Sequence, residues 1–502
     1  MDRSFVSAGH ALAQFARPTL FLAVVCGTLA VPADGAAQVV TPKTVPVLQG
    51  GQFDMYPSAR AGMGGATIAV DDTLLDPFVN PAKATRMGVA HIFAAPYYHN
   101  ISGSRGGGRT LPVGGGGSWG AWSATGLFTF QQLDRAGPAF NLSTSEQSAI
   151  NEYASGTIAR RMNQSTSVGL GVQLAGLDAM DGIDLLYAGS DRIEQSGSML
   201  EFRSGITKET GPDRHFEFMV VHSRTDMRHD VRFTNWRWDP VAKRSFQEQR
   251  NERNEDRTRI WGLHSEYSRP VGSEGWRLGW LGTVNRLSHP KIPNYVIQNI
   301  PRDPGTTYSY NVGTGIGRSI RGTSFAADLI YEPIFAETWA DAANDTSIAG
   351  GGTLIAGAKT VENTFRFNNV KLRLGAGRDD VVGKNGTIVG FQTGLALHSI
   401  KYRLRQTNNV VRTFRTQRED WIEWTPTVGL RVRARDLDVM YNFSLTCGPG
   451  SCAQGMSRPD VISVPDGGSL AGGGIIAAPS SELFMQSGAL QVHKLTFSLP
   501  IR

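Results

Sequence analysis

Apolar and polar residues alternate one by one in many segments of this chain. The clearest examples are 168–175, 216–220, 276–280, 325–331, 428–433 and 437–445. Successive side chains of a β-strand point to opposite faces, so a period of two gives each segment one apolar face. The other face is mostly Gly, Gln, Asp, Arg and Ser. The pattern predicts an all-β protein.

The surroundings of these segments favour a membrane barrel over a soluble β-sandwich, which would also alternate. Many segments are about 11 residues or longer, which suits a tilted crossing of a bilayer. Aromatic residues near segment ends are typical of an interfacial belt, and here they are Trp276, Tyr331, Trp421 and Trp424. We therefore predict an antiparallel transmembrane β-barrel.

Short and long connections broadly alternate along the chain. Short turns are predicted at 163–164, 211–214, 272–275, 379–386 and 435–436, and long polar connections at 179–197, 232–254, 336–359, 407–418 and 447–486. Bacterial barrels have short periplasmic turns, longer extracellular loops and an even number of strands. That parity requires strands near 107–115 and 307–317. The prediction is a barrel of about 14 strands, or about 16 once two weak segments are counted.

The first 37 residues have the pattern of an export signal. Arg3 and Arg17 precede an apolar run at 19–31, and the small residues at 35–37 predict cleavage near Ala37. The run is too short to span a bilayer as a helix. We therefore expect an exported protein of the bacterial outer membrane.

Residues 58–82, SARAGMGGATIAVDDTLLDPFVNPA, are too broken for a helix and too irregular for a strand. The Gly-rich run, the acidic pair and the closing Asn-Pro-Ala resemble the N-terminal segment of FadL-type outer-membrane transporters and the related PorV-type barrels. The residues that carry the resemblance are Gly62, Met63, Gly64, Gly65, Asp71, Asp72, Asn80, Pro81 and Ala82. Segments 157–174 and 325–341 resemble the family more loosely.

The resemblance implies a signal peptide at 1–37, a hatch or plug at 38–86 that closes the lumen, and a barrel at 87–502. It also implies a hydrophobic ligand of the long-chain fatty acid or hydrocarbon class, which enters from outside, binds in apolar pockets and leaves sideways through the wall. Each buried CH₂ of such a ligand is worth about 0.8 kcal/mol. Glycines let a hatch approach the wall closely, and Pro81 restricts Asn80 to extended geometry.

Three other interpretations stay open from the sequence. The segment 58–82 could be an ordinary Gly-rich leader loop. The barrel could be a PorV-like docking or secretion-accessory subunit that binds proteins. It could also be a lipid hydrolase, since Ser118 lies in G-x-S-x-G. In addition, His215, His222, His229 and His264 lie on neighbouring predicted strands at 214–231 and 255–270, where a triad with Asp226 could be built. Ser118 lacks the strand-turn-helix context of a nucleophile elbow. The ten histidines include no H-x-x-x-H pair with Glu, so a zincin site is not supported. We therefore expect no enzyme, cofactor or metal site.

The remaining chemistry concerns cysteines and charge. Cys447 and Cys452, in CGPGSC, predict a small-loop disulfide in an oxidising compartment. The net charge of +6 is modest for 502 residues and does not indicate nucleic-acid binding. The expected partners are outer-membrane lipid and lipopolysaccharide, a hydrophobic small molecule, and proteins at the extracellular loops. Inside the lumen, Asp328 and Glu332 are expected to pair with arginines such as Arg431 and Arg433.

Overall fold

The computed structural model describes most of the chain after residue 51. The described residues are 52–102, 106–135, 148–180, 190–211, 214–272, 274–289, 305–342, 344–384, 386–448 and 488–501. The predicted signal peptide, the start of the predicted hatch and Cys452 lie outside these residues. Cys447 is described and buried, and its predicted disulfide with Cys452 stays a prediction.

Nearly all regular structure is antiparallel β-strand. The strands are β1 (His91–Ala94), β2 (Tyr97–Ile101), β3 (Gly106–Trp119), β4 (Trp122–Arg135), β5 (Ser148–Arg161), β6 (Thr166–Leu177), β7 (Arg192–Glu209), β8 (His215–Asp239), β9 (Arg244–Val271), β10 (Trp276–His289), β11 (Gly305–Ile320), β12 (Thr323–Asp341), β13 (Thr346–Ser347), β14 (Thr353–Leu354), β15 (Lys359–Val382), β16 (Thr387–Asn408), β17 (Thr413–Ala434), β18 (Leu437–Cys447) and β19 (Ala489–Pro500). Before them come a 3-10 helix (Ala61–Met63), the short helix α1 (Asp76–Val79) and a second 3-10 helix (Pro81–Arg86).

The sheet closes on itself. β1 and β2 are two halves of one strand, and both pair with β19 on one side and β3 on the other. They are separated at Ala95-Pro96, where proline offers no backbone N–H for the ladder. The result is a closed antiparallel barrel of 16 strands, with the hairpin β13–β14 outside it. Of the two predicted strand counts, 14 and 16, the larger is therefore correct. The two strands that parity required are present as β3 and β11.

The two faces of the barrel wall differ as the alternation predicted. In β6, Leu170 and Leu174 point outward and are exposed, while Gln173 and Ala175 point inward and are buried. Trp276, Tyr331 and Trp424 are on the outer face. Trp421 is the exception, because it points into the lumen and is buried. Trp276 begins β10 as expected, but Tyr331 and Trp424 lie near the middle of β12 and β17, because these strands extend further than the pattern indicates.

Several predicted connections were wrong because strands extend further than the hydrophobic pattern indicates. The charged stretch 232–254 is a hairpin in which β8 runs to Asp239 and β9 starts at Arg244. The stretch 407–418 contains only a tight turn at 409–412 between β16 and β17. The strand expected near 107–115 is β3, which continues to Trp119, so the turn to β4 lies at 120–121, with Gly120 at a φ of 60°. Backbone pairing along these hairpins thus continues beyond the apolar band of the outer face.

No helix among the described residues combines the length and the apolar character needed to cross a membrane. We call the end of the barrel that carries His91 and Pro500 the periplasmic end, because the termini of such barrels meet short periplasmic turns.

The outward position of Leu170 makes a direct test of the fold. Leu170→Arg puts a charge in the middle of the apolar band and should lower the free energy of unfolding by about 2–4 kcal/mol. Met162→Arg, in the exposed turn after β5, should change it little. Denaturant unfolding in lipid bilayers measures both, and equal effects of the two substitutions would contradict the assignment of faces.

Candidate functional site

Residues 52–86, termed the lumen segment, lie inside the barrel. The 3-10 helix Ala61–Met63 contacts the inner faces of β15, β16 and β17. The 3-10 helix Pro81–Arg86 contacts β5, β6 and β7 on another side of the wall. The segment therefore crosses the lumen and joins distant parts of the barrel.

The lumen segment packs closely against glycines of the wall. A Cβ on Gly394 would lie 2.0 Å from the Gly64 nitrogen, and one on Gly375 would lie 2.3 Å from the Met63 oxygen. The wall glycines in contact are Gly169, Gly171, Gly205, Gly279, Gly313, Gly315, Gly317, Gly375, Gly394 and Gly429. These residues were not predicted as part of the site, although their repetition on the inward face of alternating strands is visible in the sequence.

The predicted residues Gly62, Met63, Gly64 and Gly65 form the part of the segment that touches β15–β17. Gly64 and Gly65 have φ values of 67° and 69°, which favour glycine. A Cβ on Gly62 would lie 2.8 Å from Gly429 Cα, so the two backbones touch. Met63 is fully buried and packs with Ala66, Val70 and Ala326.

Wall side chains satisfy the backbone of this irregular stretch. Thr427 Oγ1 donates to the Gly62 carbonyl at 2.8 Å and accepts from the Gly64 N–H at 3.0 Å. Arg373 donates to the Gly65 carbonyl at 3.0 Å. Asp328 accepts from the Thr67 and Ile68 N–H groups at 2.8 and 3.3 Å. These five backbone groups at residues 62–68 thus have partners, as buried backbone groups need away from water.

The predicted pairing of Asp328 and Glu332 with Arg431 and Arg433 was wrong. Asp328 binds the lumen segment instead, and Glu332 pairs with Lys371 at 3.1 Å. Both arginines pair with Asp438 near the periplasmic turn. Alternation places side chains on a face, but their height along the barrel depends on strand register, which the sequence pattern did not give.

Asp72 organises the lumen segment internally. Its carboxylate accepts hydrogen bonds from the Ser58 hydroxyl at 2.6 Å and from the Ala59 and Arg60 N–H groups at 3.0 and 3.2 Å. It also accepts from the Leu74 and Leu75 N–H groups, both at 3.2 Å. This buried carboxylate joins the two arms of the segment.

Asp71 and Arg86 link the segment to the periplasmic part of the wall. Asp71 pairs with Arg277 of β10 at 2.5 Å and with Arg86 at 3.3 Å, and Arg86 pairs with Glu209 of β7 at 2.7 Å. Burial raises the pKa of Asp71, but the guanidiniums of Arg277 and Arg86 lower it more, so it stays below its ordinary value. Asp71 is therefore ionised at neutral pH.

Asn80 and Lys83 meet β8 at one buried carboxylate. Asn80 Nδ2 donates to Glu217 at 3.2 Å, and its Oδ1 accepts from the Ala82 N–H at 3.1 Å. Lys83 Nζ lies 3.0 Å from the same Glu217 and 3.6 Å from Asp76. Burial lowers the pKa of Lys83, but these two carboxylates raise it more, which keeps the ammonium charged.

Pro81 and Ala82 pack directly against β6. A Cβ on Gly169 would lie 2.4 Å from the Pro81 carbonyl carbon and 2.5 Å from the Ala82 nitrogen. Thr85 extends this contact, since its hydroxyl lies 2.9 Å from Ser167 Oγ. All nine sequence-predicted residues of the segment thus lie in the lumen, and eight of them, all except Asp72, touch wall residues through close contacts or polar bonds.

A metal site is a chemical option at one point of this network. Ligand atoms of Glu217, His264 and Glu266 lie within 4.8 Å of one another. The Lys83 ammonium already supplies a positive charge to Glu217 at 3.0 Å. The chain itself therefore provides a cation for Glu217.

Apolar side chains cover two areas of the inner wall on the extracellular side of the segment. One cluster includes residues of the lumen segment and of β1 and β4–β8: Met55, Tyr56, Leu75, Phe78, Val79, Phe93, Leu127, Tyr153, Ala175, Leu177, Met180, Ile193, Met199, Met227 and Val231. Here Tyr56 and Phe78 stack with ring centroids 5.1 Å apart. The other cluster belongs to the wall alone: Ile334, Ala336, Phe365, Phe367, Ile400, Tyr402, Leu404 and Trp421.

The periplasmic side of the segment is charged instead. A pocket of about 740 Å³ lies between the segment and the periplasmic ends of the strands. Its charged lining residues include Asp71, Asp76, Lys83, Arg86, Glu209, Arg214, Arg277, Arg431, Arg433, Arg435, Asp436 and Asp438. The segment therefore separates an apolar part of the lumen from a charged one.

The residues considered for hydrolysis do not assemble. Ser118 bonds to the Met87 carbonyl and to Ser123 Oγ. His222 and Asp226 lie on the outer face of β8, whereas His215 and His229 lie on its inner face. Of the histidines on β8, only His222 shares a face with Asp226, and Ser118 lies on β3, which does not neighbour β8, so these residues form no triad.

A closed antiparallel barrel with an apolar outer face and a polar inner wall defines a transmembrane β-barrel. No protein-family profile and no curated protein sequence matches this chain. Among solved structures, the chain is similar to a Pseudomonas aeruginosa FadL homologue at 11% identity and a TM-score of 0.43, over 89% of this chain and 99% of that one. It is similar to the Ralstonia pickettii toluene transporter TbuX at 10% identity and a TM-score of 0.37, over 88% and 97%. The ferric-catecholate import receptor Fiu of Escherichia coli K12 has 9% identity and a TM-score of 0.36, over 81% of each chain. At these scores, the barrel assignment depends on this chain's own strand pairing.

Gly394 tests the close contact between wall and segment. Gly394→Ala should displace the segment and cost about 1–3 kcal/mol, because a methyl group would overlap the Gly64 backbone. The readouts are thermal unfolding and trypsin cleavage after Arg60. Gly126→Ala is the matched control, since its Cβ would meet nothing within 4 Å. Equal protease resistance of both variants would contradict the contact.

Asp72 tests the internal organisation of the segment. Asp72→Ala removes five acceptor contacts and should loosen the segment locally by about 2 kcal/mol or more. Hydrogen exchange of the Ala59, Arg60, Leu74 and Leu75 amides should then accelerate at least roughly tenfold, while the strands stay protected. Asp72→Asn, which keeps one carbonyl acceptor, should show a smaller change. Unchanged exchange at these amides in the alanine variant would exclude this role.

Proposed function

We propose that the protein is a bacterial outer-membrane barrel that passes hydrophobic small molecules, of the long-chain fatty acid or hydrocarbon class, through a lumen gated by a hatch at 38–86. The observation that carries the proposal is the apolar inner-wall cluster of β12 and β15–β17, which includes Phe365, Phe367, Ile400 and Leu404. Barrels that conduct water-soluble solutes have polar interiors. Aliphatic and aromatic side chains on the lumen face suit an apolar cargo.

The energetics agree with this choice of cargo. Each CH₂ that moves from water to apolar contact gains about 0.8 kcal/mol, so a long acyl chain has a strong preference for these clusters. Two polar atoms also lie within the wall cluster. Among the described residues, the Tyr402 hydroxyl and the Trp421 indole N–H have no hydrogen-bond partner. They could bind the polar end of an amphipathic cargo such as a carboxylate.

The lumen segment would act as the gate because it is part of the second apolar cluster. Tyr56, Phe78 and Val79 pack there against wall residues such as Phe93 and Tyr153. A cargo that occupies this area must displace those side chains. Beyond the segment lies the charged pocket, which is unfavourable for an apolar molecule. This asymmetry favours release of cargo sideways into the membrane over passage to the periplasm.

A disulfide lock tests the gate. Ala66 of the segment and Ala326 of β12 pack in one buried cluster, so cysteines at both positions should form a bond that fixes the segment to the wall. In cells that lack other uptake routes, Ala66→Cys/Ala326→Cys should reduce uptake of a labelled long-chain fatty acid to background. A reductant should restore it, because the segment can then move.

Ala66→Cys and Ala326→Cys alone serve as controls, since they carry the same small changes without the crosslink. Cys447 and Cys452 are present in every variant, so reductant effects on them cancel. Wild-type uptake in a fully crosslinked protein would exclude gating by this segment. If cells with the wild-type protein take up no more fatty acid than cells without it, transport of this cargo is excluded and a docking role is favoured.

A further inference from the structure

A row of arginines crosses three neighbouring strands on the outer face of the barrel. Arg366 of β15 pairs in register with Arg403 of β16, and Arg403 pairs in register with Arg418 of β17. Arg405 lies on the same face of β16, next to Arg403, and is exposed. We call these four residues the arginine row. Like charges directly opposite each other on adjacent strands destabilise a sheet.

The arginine row has no acidic partner within the described part of the chain. None of its four side chains forms an ion pair there, and Arg403 Nε has no hydrogen-bond partner. Three outward acids lie near the row: Asp420 is opposite Lys401, Glu337 is two residues beyond Phe335, which is opposite Arg366, and Glu362 pairs with Lys359 at 3.0 Å. All three are described residues, and none of them forms an ion pair with an arginine of the row.

A second group of outward arginines, on β8 and β9, forms ion pairs with neighbouring acids. Arg224 pairs with Asp226 at 2.6 Å, and Arg228 and Arg253 pair with Asp230 at 3.0 and 2.7 Å. These arginines also lie above the apolar band. Each arginine of this second group forms an ion pair with an acid, whereas no arginine of the row does so within the described residues.

The position of the arginine row along the barrel axis shows which part of the membrane surrounds it. Further toward the periplasmic end of the same strands, the outer face becomes apolar at Val370 and Ile422, both exposed. Phe335 of β12 is exposed and lies beside Arg366 in register. The row is thus at the extracellular edge of the apolar band, where the hydrocarbon of the outer leaflet gives way to head groups.

We propose that the arginine row binds the phosphate groups of the phosphorylated glycolipid of the outer leaflet. Guanidinium groups bind phosphate through paired, charge-assisted hydrogen bonds, and several phosphate charges would neutralise the repulsion between adjacent strands. The acyl chains of the same lipid would cover the apolar band below. The proposal rests on the outer-membrane location proposed above, but involves neither the cargo nor the lumen segment.

Lipid binding to the purified full-length protein tests the proposal. The protein in neutral detergent is mixed with lipid A, an acylated glucosamine disaccharide with two phosphates, and bound lipid is counted by native mass spectrometry. Arg366→Gln/Arg403→Gln/Arg418→Gln should weaken binding roughly tenfold or more, because each arginine near a charged lipid surface contributes to attraction. Arg224→Gln/Arg228→Gln/Arg253→Gln removes the same charge from the second group of arginines and should retain binding.

Three further arms separate the sources of the phosphate and the effects of folding. Lipid A without its phosphates should bind the wild type as weakly as lipid A binds the triple variant. Inorganic phosphate at the same concentration should not compete with lipid A; full competition would indicate a site for free anions and overturn the lipid assignment. Without lipid, the triple variant should unfold at the same or a higher temperature than the wild type, since repulsion is removed.

If the triple variant does not fold, Arg403→Gln alone removes the central charge and should still weaken binding severalfold. Equal lipid A binding by the wild type and a folded variant would overturn the proposal. An equal loss of lipid A binding in the control variant Arg224→Gln/Arg228→Gln/Arg253→Gln would also overturn it. Neither result depends on uptake of hydrophobic cargo, so failure here and failure of the proposed transport are distinguishable.

Discussion

The contact between the backbone of the lumen segment and the inner wall is so close that glycine is required on one or both sides. Gly394 and Gly375 face residues 63–64, and Gly169 faces Pro81 and Ala82. A side chain at any of these positions would push the segment from the wall. The high glycine content of the strands, 59 glycines in the whole chain, is explained in part by this constraint and not only by turns.

Close approach also explains why the polar groups of the segment bond to wall side chains. An irregular chain at membrane depth must have all its backbone groups satisfied by protein. Thr427, Arg373 and Asp328 do this near residues 62–68, while Glu217 holds Asn80 and Lys83. Apolar clusters then lie on the extracellular side and charges on the periplasmic side, so the segment forms a boundary between two chemically different parts of the lumen.

Much of the barrel could be predicted from the sequence, because period-two alternation is a direct consequence of strand geometry. The faces of β6 and the need for β3 and β11 followed from pattern and parity. The length of the β8–β9 hairpin did not, since strands above the apolar band carry no alternating signal. The motif residues of the segment were also found, but their wall partners were not. Glycines on the inward face resemble ordinary small residues until register shows that they face Gly64 or Pro81. The pairing of Asp328 was missed for the same reason.

Hydrogen exchange of the lumen segment in lipid bilayers tests the central claim most directly. The Gly64 amide bonds to Thr427 and the Thr67 amide bonds to Asp328, so both should exchange slowly in the protein without ligand. A long-chain fatty acid should accelerate their exchange, because cargo displaces the segment, while a sugar of similar size should not. Fast exchange of both amides without ligand, at the rate of an unstructured peptide, would contradict the contact between the segment and the inner wall. Slow exchange that no hydrophobic ligand changes would contradict its role as a gate.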